Sequence, residues 1–71
     1  MAKRIFKTEI TDRDLEILTL LSRGIDTESI AEDIGVSRAT VDITIPKIML
    51  KLGARTRCNA VYLAYKKGLI Q

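Results

Sequence analysis

The side chains able to do chemistry in this chain are cations and hydroxyls rather than nucleophiles. Ser37, Arg38, Thr40, Lys47, Lys51, Arg55 and Arg57 fall within one short segment. All of them can offer hydrogen bonds or positive charge to phosphate oxygens. The chain has no histidine, so no Ser-His or Cys-His pair can form. Its single cysteine, Cys58, has no adjacent base and reads as a small packed residue. One cysteine and no histidine leave no zinc cluster, and neither a calcium-loop spacing nor a phosphate-cradling glycine loop occurs. The expected chemistry is binding, without catalytic residue, cofactor or metal.

Charge distribution points to the ligand class. The net charge is +3, but residues 1–36 carry a net of −3 and residues 37–71 a net of +6. The electropositive half is the one that holds the cations named above, and such a patch suits a polyanion. A solvated surface with a fortuitous bias would show the same imbalance.

These side chains need elements to position them, and the spacing of apolar residues predicts four. Residues 1–10 show no helical period and, with Lys3, Arg4 and Lys7, read as a basic N-terminal arm ahead of a domain over 11–71. Thr11 followed by Asp14 has the form of a capping box, and Leu15, Leu18 and Leu21 predict a first helix over about Asp12 to Arg23, with Gly24 as its stop. A second start at Asp26-Thr27 leads into Ile30, Ala31 and Ile34 before Gly35. Ser37 caps a third helix whose Val41, Ile45, Ile48 and Leu52 share one face, closed by Gly53. The last helix runs from Thr56 or Arg57 to Lys67, with Ala60, Val61 and Ala64 inward and Gly68 as its stop.

The result is a compact all-α, four-helix domain. Seventy-one residues allow one domain, and a 46% hydrophobic, 30% charged composition is that of a globular chain. No apolar run reaches the roughly 18 residues of a membrane span and MAKRIF lacks the h-region of a secretory signal, so no membrane partner and a cytoplasmic location are expected. Within the domain, ESIAEDIGVSRATV has the form of a helix-turn-helix: a short helix, a glycine turn and a capped longer helix.

TDRDLEIL, Gly24, IAEDIGVSRATV, KLGARTRCNAV and AYKKGLI together resemble the LuxR-type, or GerE-like, helix-turn-helix domain from Thr11 to Ile70. The resemblance implies a third helix that enters the major groove of double-stranded DNA, a fourth that can dimerise, and a role in bacterial transcription regulation. Most members carry a sensor domain upstream, so the chain is similar to stand-alone members or to an excised output domain. The family commonly has a basic residue at the position of Asp42 and often another at Pro46, and favours Lys at Glu28 and His at Thr44. Sites that usually contact nucleic acid have therefore lost or reversed charge.

With Val41, Ile45, Ile48 and Leu52 inward, the opposite face of the third helix consists of Ala39, Ile43, Pro46 and Leu50, with Asp42 and Lys47 on its shoulders. That face holds no Arg, Lys, Asn or Gln for bidentate base reading; thymine methyls are what Ile43 or Ala39 could sense. Pro46 removes the amide that would bond the Asp42 carbonyl, which predicts a kink or break near 42–46.

Two functions compete. In the first, a DNA-binding regulator uses Ser37, Arg38, Thr40, Lys47, Lys51, Arg55 and Arg57 as a phosphate clamp, Lys51 foremost, with Ile43 toward the bases. In the second, Ala39, Asp42, Ile43, Pro46 and Leu50 form a face for a protein partner, either a full-length relative or the transcription machinery. Val61, Tyr62 and Tyr65 on the last helix fit a homodimer patch or, equally, pad the edge of the core. Thr40 fits either a phosphate contact or a local hydrogen bond.

Overall fold

The computed structural model describes residues 10–71, which form four helices: α1 (Asp12–Ser22), α2 (Thr27–Ile34), α3 (Arg38–Leu52) and α4 (Arg57–Lys66). Each begins where the sequence supplies an oxygen for otherwise unpaired first-turn amides. Thr11, Asp26, Ser37 and Thr56 accept from the backbone amides of Asp14, Ser29, Thr40 and Asn59 respectively. Gly35, at φ 75°, ends α2 in the left-handed conformation that a side chain would strain. The expected basic arm lies outside the described residues except for Ile10, which packs against the core.

α3 is the central element. Its Val41, Ile45, Ile48 and Leu52 are buried against Ile17 and Leu18 of α1, Ile30 and Ala31 of α2, Ala60 and Ala64 of α4, and Ile70 beyond it. Each large aliphatic side chain removed from water contributes about 1.5–3 kcal/mol. The inward face of α1 keeps Leu18 of the expected leucine stripe but has a different centre. Ile17 and Leu18 are fully buried, whereas Leu15 and Leu21 are half-buried at its margins. Val61 is likewise half-buried, while Ala60 and Ala64 make the inner face of α4.

The shift in α1 brings Asp14 inward. Its side chain is only 6% exposed and Oδ2 takes two donors: the Thr11 amide at 3.1 Å, which completes the capping box, and the Lys51 ammonium at 2.7 Å. A buried carboxylate needs such partners, because its lost hydration is costly unless replaced. The pair ties the first turn of α1 to the last turn of α3. Lys51, named above as foremost in the phosphate clamp, is here a partly buried ion-pair partner.

Pro46 does not break α3, which runs continuously from Arg38 to Leu52. The expected break is avoided because core contacts by Val41, Ile45 and Ile48 hold the backbone on both sides of the proline. Asp42, whose carbonyl loses its amide partner, is exposed, so water can serve in place of that amide.

Two stability measurements check this account by urea denaturation. Lys51→Met, which leaves Asp14 buried without its cation, is expected to lose about 2 kcal/mol, below the range for fully buried pairs because Lys51 retains some solvent. Pro46→Ala restores a helix amide and is expected to gain about 2 kcal/mol, the interior proline penalty less the lower entropy of an unfolded chain that contains proline. A neutral result for Lys51→Met would remove the ion pair from the account of the fold.

Candidate nucleic-acid interface

α2, the turn at Gly35-Val36 and α3 form the helix-turn-helix. The Gly35 amide donates to the Glu32 carbonyl at 3.3 Å and the Val36 amide to that of Ala31 at 3.0 Å, closing α2 before Ser37 opens α3. Half-buried Val36 packs against the core, to which Ala31 and Val41 belong. Because α3 buries one face only, the other stands in solvent: Ala39, Asp42, Ile43, Pro46, Lys47 and Leu50 are all exposed, Ile43 by 59% and Leu50 by 81%.

The polar groups at the start of α3 satisfy one another. Ser37 Oγ accepts from the Thr40 amide at 3.1 Å and lies 3.0 Å from Thr40 Oγ1, while the Thr44 hydroxyl donates to the Thr40 carbonyl at 2.7 Å. Arg38 Nε stands 3.7 Å from Asp42 Oδ2 one turn along. Both side chains are largely exposed, so the contact is weak but sets the guanidinium beside an acid. The spacing of four between Arg38 and Asp42 was a readable signal of this pair.

Three of the expected cations remain. Among the described residues, Lys47, Arg55 and Arg57 are exposed and have no carboxylate partner. The loop that carries Arg55 is held by Asn59, whose Oδ1 accepts from the Arg55 amide at 3.1 Å. Residue type alone gave no reason to single out Asn59. Arg57 opens α4 directly after the Thr56 cap. A shallow cleft between α1 and α2 has Leu15, Leu20 and Ile34 in its lining but Asp12, Glu16 and Asp33 beside them, which disfavours a polyanion there.

On α4, Tyr62 and Tyr65 are 54% and 64% exposed, so neither ring pads the core edge. The Lys66 ammonium lies 5.8 Å from the centroid of the Tyr62 ring, within cation–π range. Cys58, expected to be packed, is instead exposed: α4 turns Ala60 and Ala64 inward and leaves position 58 at the surface.

Residues 8–64 match the family described as bacterial regulatory proteins, luxR family. The chain belongs to the luxR family. It is 36% identical over 70 residues to the transcriptional regulatory protein YdfI of Bacillus subtilis (strain 168), covering 99% of this chain and 33% of that protein. It is 39% identical over 62 residues to the oxygen regulatory protein NreC of Staphylococcus aureus (strain JH9), covering 87% of this chain and 29% of that protein. The chain thus spans about a third of the length of these curated relatives. The luxR-family match covers α1, α2 and α3 entirely and most of α4, so the geometry above is that of a four-helix luxR-type domain. Among the described residues, no helix is long and apolar enough to cross a membrane.

The cap of α2 provides a pH test of this geometry. The Ser29 amide, donating to Asp26 Oδ1 at 2.8 Å, holds the Asp26 carboxyl below its ordinary value of 3.8, aided by the Ser29 hydroxyl and the charge of Arg38 and opposed by slight desolvation. A carboxyl lowered by folding stabilises the folded state above its unfolded value, and that contribution is lost as pH falls through the lower folded value. Asp26→Asn keeps a capping oxygen without a titrating group. Thermal melts of the variant are therefore expected to lose less stability than the parent between neutral pH and acid below about pH 4; parallel acid limbs would mean that the carboxylate charge contributes nothing.

Proposed function

We propose that this chain is a DNA-binding regulator of bacterial transcription that presents α3 to the major groove, acts in the cytoplasm and carries no enzymatic activity. The observation that carries this reading is the solvent-exposed outer face of α3, projecting from a capped helix-turn-helix in a luxR-family chain. The names of YdfI and NreC as regulatory proteins agree with it. Ser37 and Thr40 bring the positive end of the α3 dipole to a phosphate, and Lys47, Arg55 and Arg57 supply further positive charge. Lys51 acts at one remove, by seating α3 on α1. Asp42 opposes binding, both by its own charge and by engaging Arg38. Dimerisation through Val61, Tyr62 and Tyr65 would pair two such helices on neighbouring half-sites, given the exposure of both tyrosines.

A second reading is favoured by the exposure of Leu50 and Ile43. In it, the Ala39, Ile43, Pro46 and Leu50 stripe docks a protein of the transcription machinery or a full-length relative.

Fluorescence anisotropy of a labelled mixed-sequence duplex, titrated over a series of salt concentrations, separates the two. DNA binding predicts dissociation constants of about 1–100 μM, with log K falling by about 0.9 per log unit of salt for each phosphate neutralised. The double variant Lys47→Glu, Arg57→Glu is expected to bind more weakly and with a flatter slope, whereas Asp42→Asn, which frees Arg38, strengthens binding and steepens the slope by about one contact. No binding by the parent at low salt would overturn the DNA reading.

A further inference from the structure

We infer that the luxR-type helix α3 of this protein reads DNA through thymine methyl groups, with Ile43 as the specificity-determining residue and Ala39 beside it. This rests on the DNA-binding reading above and adds the class of base that the site selects.

Base reading in the major groove ordinarily relies on Arg, Lys, Asn or Gln side chains that offer paired donors and acceptors to base edges. Along the exposed part of α3 the structure accounts for the polar candidates one by one. Arg38, only weakly paired with Asp42 at 3.7 Å, is the first residue of α3, where with the cap groups it suits a phosphate; the hydroxyls of Ser37 and Thr40 meet each other at 3.0 Å; the Thr44 hydroxyl donates to the Thr40 carbonyl at 2.7 Å. Lys51 is turned inward to Asp14. Lys47 remains, a flexible point charge better matched to a phosphate than to a base edge.

What α3 does offer outward is hydrocarbon. Ala39 and Ile43 are four residues apart, so they lie one above the other on a single face, and both are exposed. They belong to the half of the helix nearer its start, the part that contacts base edges when a recognition helix docks. The thymine C5-methyl is the apolar group that a major-groove edge displays, and contact with it is how an apolar side chain reads sequence. A G·C pair set against Ile43 offers no such methyl, so the aliphatic contact is gained at thymine alone.

Selection of binding sites from a randomised duplex library, followed by resynthesis of the selected site with deoxyuridine in place of thymine, tests this directly, because the exchange removes the methyl and leaves the hydrogen-bonding edge intact. The expected result is a thymine-containing site whose deoxyuridine form binds about fourfold more weakly per contacted methyl, the factor for one buried methylene-sized group. In Ile43→Ala that difference shrinks while the salt dependence of binding is unchanged. A selected site bound equally well in both forms, or salt-dependent binding with no site enriched at all, overturns methyl readout while leaving DNA binding in place. Absence of salt-dependent binding to any duplex is a different failure, that of the DNA reading itself.

Discussion

The domain is organised around a buried carboxylate. Asp14 sits in the first turn of α1, where its Oδ2 both closes the capping box with the Thr11 amide and receives the Lys51 ammonium from the far end of α3. A short domain has limited apolar surface with which to hold one helix at a defined angle to another. A short ion pair between the ends of two helices adds a directional constraint that burial alone lacks. With Lys51 anchored at one end and Ser37 capped at the other, α3 is fixed along its length.

Burial of the other face of α3 decides what the helix can present. Holding Val41, Ile45, Ile48 and Leu52 in the core obliges the opposite face outward, and the residues found there are mainly apolar rather than basic. The hydroxyls of Ser37, Thr40 and Thr44 are engaged near the backbone, and Arg38 stands beside Asp42 at the start of the helix. The surface left is a hydrocarbon stripe shouldered by Lys47. Positive charge suited to phosphate continues at Arg55 and Arg57, beyond the end of α3. On the proposed DNA reading, affinity and selectivity fall to different groups: cations for the phosphate backbone, aliphatic contact for the sequence.

Pro46 fits the same division. A proline inside a helix costs least where the carbonyl it orphans can reach water, and the exposed outer face of α3 meets that condition. Its place among Ala39, Ile43 and Leu50 also adds ring surface to the apolar stripe. The loss of helix stability and the apolar character of the face thus come from the same residue.

Much of this was legible in order of residues alone, because caps, stops and apolar periods are local. Thr11, Asp26, Ser37 and Thr56 each act on an amide three residues away, and Gly35 and Gly53 end helices by their own backbone freedom. The buried face of α3 followed from spacing, and family membership from motifs spread over the chain. The role of Lys51 was not legible, since its partner lies 37 positions away and nothing in a lysine's neighbours says which way its long side chain turns. Nor was the whole inner face of α1: Leu18 was read as inward and is buried, but the burial of Asp14 and Ile17 beside it was not read, because a charged Asp14 interrupts the apolar period. Local hydrogen bonding writes itself into short spacings; the orientation of charges between helices exists only once the core has brought those helices together.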